Sequence, residues 1–197
     1  MQKPNFKEEK KLWGKGYEFV AGLDEAGRGP LAGPVVAAAV IVKKGVGLKI
    51  KANDSKKLSS KQRECIFELL IKSTDIRWGI GIVSEKIIDR INILKATKLA
   101  MKKSLSRLNP DYLLLDGNFS IDSKTPQKPI VSGDAKVFSI SAASIIAKVT
   151  RDRIMINYDK KYPQYGFWRH KGYPTSSHRK ILKKIGRCAI HRKSFRV

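Results

Sequence analysis

The chain has 197 residues and 22.1 kDa, with 42% hydrophobic residues, enough for one substantial domain with a real core. Its 41 Lys and Arg against 17 Asp and Glu leave a formal charge of +24, which points to a polyanionic partner, either nucleic acid or an anionic membrane surface. The longest apolar run, Val35–Val42, falls far short of the roughly 18–20 residues of a membrane span, and the N-terminus has no signal-peptide core, so a cytoplasmic protein is expected. Cys65 and Cys188 make no CxxC pair and no disulfide framework, and they read as small buried hydrophobes.

In chain order, 17–23 and 35–42 read as strands joined by the Gly- and Pro-rich turn AGRGPLAGP, followed by a polar loop over 43–57. Ser59 and Gln62 have the spacing of a capping box, opening a helix to about Lys72 with Ile66, Leu69 and Leu70 as its apolar stripe. Ile76, Trp78, Ile80 and Ile82 alternate with Arg77, Gly79 and Gly81, the period of a half-buried strand. Helices are predicted over about 84–90 and 92–107, then short strands over 112–115 and 128–131. A long helix over about 138–159 is rich in small residues (Ala142, Ala143, Ser144, Ala147), which permits close packing on a sheet. Thr175 caps a last helix that stops near Gly186, before a basic tail. The expectation is a single α/β domain over 1–197, with a core of about 1–160 and a basic, helical C-terminal extension of about 161–197. Over 148–197, 15 Lys or Arg face two acids, so +13 of the charge lies in this quarter, the expected docking face for a phosphate chain.

In so basic a chain, acids beside apolar strands need a reason. Asp24 and Glu25 follow YEFVAGL, Asp116 follows YLLL, and Asp134 follows PIVSG just before the small-residue helix. Any one of them could simply end a strand or cap a helix. Four converging without His or Cys make an oxygen-only site suited to Mg²⁺ or Mn²⁺, since unpaired carboxylates at a core edge cost several kcal/mol. Two such ions can activate a water and stabilise the leaving oxygen of an in-line displacement. Asp152 reads instead as an ion-pair partner of Lys148 or Arg151.

Gly27 and Gly29 flank Arg28 directly after the acid pair and allow backbone amides to approach a sugar-phosphate chain, although a plain tight turn fits as well. Their spacing to Gly33 is too long for a dinucleotide fingerprint, and a strand follows instead of a helix. Tyr173, between Gly172 and Pro174 in HKGYPTSSH, is either a stacking platform in a basic turn or a packed surface tyrosine. Lys56 and Lys57 are phosphate-contact candidates in a loop that is solvated by default. His170, His178 and His191 have no zinc-site spacing, and no GxSxG elbow supports a serine nucleophile.

Together, AGLDEAGRGPLAGPVVAAAV, DSKKLS, LLLDG, SGDAK with SISAASIIAKVTRD, and HKGYPTSSH resemble bacterial ribonuclease HII, in that family's order from about Tyr17 to Phe195. The resemblance implies a ribonuclease H-like fold, a mixed central β-sheet flanked by helices. It also implies an endonuclease that cleaves the RNA strand of RNA/DNA hybrids and nicks 5′ of a ribonucleotide embedded in duplex DNA, leaving 3′-hydroxyl and 5′-phosphate ends, in ribonucleotide excision and RNA primer removal. The family's four metal-binding acids fall on Asp24, Glu25, Asp116 and Asp134, its Gly-Arg-Gly turn on Gly27, Arg28 and Gly29, and its junction-reading tyrosine on Tyr173. Arg187 stands where relatives often have Pro, and Trp168 where a small residue is common. A monomer is expected. Ribonuclease HIII, similar in chemistry, is expected to have a further N-terminal domain, whereas only about 16 residues precede the first strand here. The reading from another class is a non-catalytic nucleic-acid-binding protein, which would gain nothing from four acids beside phosphate.

Overall fold

A computed structural model describes residues 3–46 and 58–196. Five strands form one mixed sheet in the order β3-β2-β1-β4-β5. β1 (Val20–Ala26), β2 (Val35–Val42) and β3 (Ile76–Val83) form an antiparallel meander, while β4 (Tyr112–Asp116) and β5 (Gln127–Ile130) join it in parallel with β1. Among the described residues no helix is long and apolar enough to cross a membrane.

β2 is buried along its whole length, because both faces of the sheet are covered. Its alternating residues divide between two cores. Ala37, Ala39 and Ile41 pack with Ala96, Ala100 and Met101 of α4 (Ile93–Ser104), and Ala38, Val40 and Val42 pack with Ala142, Ile145 and Ile146 of α5 (Phe138–Lys161). The expected small-residue contact is made at Gly22 of β1, where a Cβ would run into the backbone of Ser139 and Ile140. Only glycine lets α5 lie that close to the strand that carries Asp24.

α2 (Ser60–Lys72) begins with the predicted capping box, Ser59 Oγ accepting from the Gln62 amide at 3.2 Å and Gln62 Oε1 from the Ser59 amide at 2.9 Å. α3 (Glu85–Ile91) leads into α4, and α7 (Ser176–Ile185) starts at Thr175, whose hydroxyl accepts from the His178 amide.

Several expectations are corrected. β1 starts and ends about three residues later than 17–23, so Asp24 and Glu25 lie inside the strand and not after it. In β3 the glycine face is the one pressed against a helix, with Gly81 beneath Ala100 of α4, whereas Trp78 and Ile82 are 38% and 44% exposed. Cys65 lies on the exposed side of α2 and Cys188 is only partly buried. α1 (Lys7–Trp13) and the short α6 (Phe167–His170) were not anticipated. α1 is held through Glu9, which accepts from both the amide (2.9 Å) and the hydroxyl (2.8 Å) of Ser139. Val137, the residue preceding α5, has no side chain that can cap, so the carboxylate of Glu9, 130 positions before Ser139, serves the positive end of that helix.

Candidate active site

The parallel register of β1 and β4 ends at Leu23 opposite Leu115, so the next residue of each strand, Asp24 and Asp116, emerges at the same carboxyl edge of the sheet. Open α/β sheets bind their ligands at such edges. Asp24 shares the α5-facing side of β1 with Gly22, and Ser144 of α5 hydrogen-bonds its carboxylate while the Glu25 amide donates to it at 2.6 Å. Asp116 Oδ1 accepts from the Gly133 amide at 2.7 Å, which ties β4 to the 3₁₀ turn Gly133–Ala135 containing Asp134. Asp134 is 3% exposed and Asp24 5%. Glu25, on the opposite side of β1, is paired with Arg28 at 3.5 Å.

Burial, reinforced by the charges of Glu25 and Asp116, holds the Asp24 carboxyl well above the usual carboxylate range. Such a group is short of positive charge. Among the described residues no three His, Cys, Asp or Glu side chains are already arranged to hold a metal ion. Mg²⁺ takes one or two carboxylates and completes its shell with water and phosphate oxygens, so adjacent carboxyls suffice and a closed protein cage is not needed. The donor set, all oxygen and no imidazole or thiolate, fits a hard divalent cation.

The turn after β1 has two unlike glycines. Gly27 has φ +102°, and a Cβ there would collide with the Arg151 side chain, whereas a Cβ at Gly29 would meet nothing within 4 Å. Gly27 is therefore required by the protein, and Gly29 is open to a ligand. Arg28 is half exposed, its guanidinium 5.9 Å from the Phe119 ring centroid. Beneath the turn lie two guanidinium groups that sequence reading did not single out for this role. Arg151 (0% exposed) donates to the carbonyls of Ala32, Pro34 and Lys171, each at 3.0 Å. Arg192 (1% exposed) donates to those of Gly27 (2.6 Å), Arg28 (3.0 Å), Gly33 (2.9 Å) and Pro34 (3.2 Å). Burial lowers the pKa of both, that of Arg192 to about 9 with Arg151 contributing, which leaves it charged at neutral pH.

Tyr173 is 38% exposed, its ring 5.5 Å from Lys148 Nζ and 5.7 Å from the Arg151 guanidinium carbon. The Leu31 amide donates to the Gly172 carbonyl at 2.8 Å, joining the tyrosine turn to the glycine turn. Asp152 pairs with Lys148 at 2.8 Å as expected, and also with Arg63 at 3.8 Å. Lys56 and Lys57 lie outside the described residues. Arg187 knots the tail by donating to the carbonyls of Lys193 (2.9 Å) and Phe195 (2.8 Å), and Trp168 is exposed with the Arg169 guanidinium 4.8 Å from its ring.

The profile of the ribonuclease HII family matches residues 21–197. The chain belongs to the ribonuclease HII family. Ribonuclease HII of Acetivibrio thermocellus is 57% identical over 189 residues, covering 95% of this chain and 73% of that protein. Ribonuclease HII of Archaeoglobus fulgidus, solved in complex with PCNA, superposes with a TM-score of 0.77 at 28% identity, over 91% of this chain and 96% of that one. Bst-RNase HIII, solved in complex with Mn²⁺, shares the fold with a TM-score of 0.66 at 18% identity, over 86% of this chain and 63% of that one. The ribonuclease HII match begins within β1 and leaves α1 outside it, so the Glu9 cap on α5 comes from beyond the segment that defines the family.

Proposed function

We propose that Asp24, Glu25, Asp116 and Asp134 are the carboxylates with which this chain does ribonuclease HII chemistry, cleaving RNA in RNA/DNA hybrids and nicking duplex DNA 5′ of an embedded ribonucleotide to leave 3′-hydroxyl and 5′-phosphate ends. The observation that carries this reading is the Asp24 carboxyl, buried, repelled by the charges of Glu25 and Asp116 and short of a cation, at the carboxyl edge of the sheet of a chain with +24 charge. The four acids would hold two Mg²⁺ or Mn²⁺ ions. When bound, such ions supply a water of lowered pKa and stabilisation of the departing 3′-oxygen. Ser144 and the Glu25 amide orient Asp24, and the Gly133 amide orients Asp116. Gly27, Arg28 and Gly29 address the ribonucleotide, whose 2′-hydroxyl is the group that separates RNA from DNA. Tyr173 stacks on the next deoxyribose, and Lys56 contacts a phosphate. The catalytic unit is one domain, a core of about 1–160 with a basic extension of about 161–197, working as a monomer in the cytoplasm in ribonucleotide excision and primer removal.

A purely binding protein is the poorer reading, since mutually repelling buried carboxyls beside a phosphate groove weaken binding. The test is a DNA duplex with one ribonucleotide, incubated with protein and Mg²⁺ or Mn²⁺, with and without chelator. The expected result is a single nick 5′ of the ribonucleotide that chelation abolishes and that Asp24→Asn reduces about 10³-fold with hybrid binding retained. A cut elsewhere, or one indifferent to chelator, overturns the reading.

A further inference from the structure

All three histidines of the chain meet in one buried layer under the tyrosine turn, though they come from the end of α6 (His170), from α7 (His178) and from the tail (His191). His170 stacks on His178 with centroids 4.2 Å apart, and Phe167 packs edge-on against both. Their ring nitrogens leave one consistent set of tautomers. The Cys188 amide donates to His191 Nδ1 at 2.9 Å, so the His191 proton is on Nε2. That Nε2 is 3.0 Å from His178 Nε2, which must therefore accept, and the His178 proton is then on Nδ1, 2.9 Å from the Tyr173 carbonyl. On the other ring the Gly172 amide donates to His170 Nδ1 at 3.1 Å, so His170 Nε2–H donates to the Tyr165 carbonyl at 2.9 Å.

The turn being held is one that the backbone would not adopt unaided. Lys171 and Gly172 both have positive φ, +49° and +84°, and Pro174 has no amide to contribute. A non-glycine residue in the left-handed region persists only where its surroundings over-determine it. The layer bonds two residues of the turn, Gly172 through its amide and Tyr173, which bears the exposed ring, through its carbonyl. The Thr175 amide supplies the second hydrogen bond to the Tyr173 carbonyl, at 2.8 Å. An apolar layer could fill this space but could not grip a carbonyl.

We propose that His178 is a positioning residue for Tyr173, its Nδ1–H holding the Tyr173 carbonyl while His191 enforces the tautomer that permits it, so that the ring is presented beside the 27–29 turn. The inference rests on the reading that Tyr173 contacts the nucleotide, and it deepens that reading. Asn places an amide where His178 Nδ1 stands and reaches the same carbonyl, whereas Gln places its amide near the Nε2 position and does not. On a duplex with one ribonucleotide, His178→Gln is expected to raise KM about fivefold with kcat unchanged, the scale of one hydrogen bond, and His178→Asn to restore it to within about twofold. Ring ¹⁵N–¹H spectra at neutral pH should show Nδ1–H at His178 and Nε2–H at His170 and His191, which no merely space-filling role dictates. An Nε2–H tautomer at His178, or equal KM for folded Asn and Gln variants, overturns the proposal. Tyr173→Ala separates the two levels, with KM expected to rise about tenfold from lost stacking. If Tyr173→Ala acts while Asn and Gln remain equal, only the positioning role falls; if Tyr173→Ala has no effect, the nucleotide contact falls and the positioning role with it.

Discussion

The acid pocket and the clamp behind it are built in opposite ways. At the pocket, like charges are pressed together, Asp24 against Glu25 and Asp116, and burial with this repulsion holds the Asp24 carboxyl well above the usual carboxylate range. Behind it, Arg151 and Arg192 are buried just as deeply, but every contact they make with the 27–34 turn is to a backbone carbonyl. The first arrangement stores unfavourable electrostatics where a cation and a phosphate are to be bound. The second uses charge-assisted hydrogen bonds to fix a loop with no sheet partner for most of its carbonyls. A strained site thus stands on a rigid support, and each half can be broken separately.

The largest effects should come from Asp24→Asn. Cleavage should fall about 10³-fold, the scale of losing a principal transition-state stabiliser. In metal-free buffer the same variant should be more stable than wild type, because a repelled buried carboxyl has been made neutral. Each kcal/mol relieved should raise Tm by about 2–4 °C in a chain of this size. A variant that is inactive and also less stable would show that Asp24 supports the fold and is not strained by it.

Next in size is Arg192→Met. It removes the guanidinium from the carbonyls of Gly27, Arg28 and Gly33, at about 1–3 kcal/mol for each that finds no other partner, while Pro34 keeps its bond from Arg151. Thermal unfolding should shift down by about 6 °C or more, and KM should rise more than kcat falls. An unchanged Tm would mean that the turn needs no clamp.

These two halves were not equally legible. Each pocket acid is anomalous where it stands, a carboxylate against an apolar strand in a chain with few acids, so local context exposes it. Parallel pairing of 112–115 with 20–23 then brings Asp24 and Asp116, 92 positions apart, to one edge, which only the fold could show. Arg151 and Arg192 carry no such mark among 41 bases, since KVTRD and HRKSF look like any surface stretch. Their burial follows from a long-range fit, Gly27 giving up the space that Arg151 fills. The histidines stayed unconnected for the same reason, their separations matching no known ligand spacing. α1 escaped because seven residues with two acids and three lysines have no amphipathic period, and Glu9 is held by a partner 130 residues away.

Acid should act on the two regions with opposite sign. The raised Asp24 pKa means that the folded state binds its proton more tightly than the unfolded chain. Its contribution to stability is present below the ordinary carboxylate pKa of 3.8 and lost as pH rises through the elevated value. Burial, followed by the neighbouring His178, lowers His191 to about 4 from 6.5, so its contribution is present above 6.5 and lost as pH falls toward 4. Urea denaturation without metal between pH 7.5 and 4.5 should therefore show His191→Gln flattening the loss of stability on the acid side. Asp24→Asn should instead remove the loss at higher pH. If His191→Gln keeps the wild-type slope, His191 is not the group that acid attacks.

The smallest expected effect tests whether burial, and not the number of partners, gives an arginine its importance. Arg153 reaches two carboxylates, Glu64 and Glu68 of α2, and its guanidinium carbon is 4.4 Å from the Phe67 ring centroid. By contact alone it rivals Arg192. Its side chain and those of both acids are 39–47% exposed, so water solvates the charges whether or not they pair, and holding long side chains together costs entropy. Arg153→Ala should therefore cost less than about 1 kcal/mol, shrinking further in salt, against several for Arg192→Met. A loss comparable to that of Arg192→Met would place the α2–α5 pairing among the supports of the site, because α5 begins beside Asp134 and carries Ser144 and Arg151.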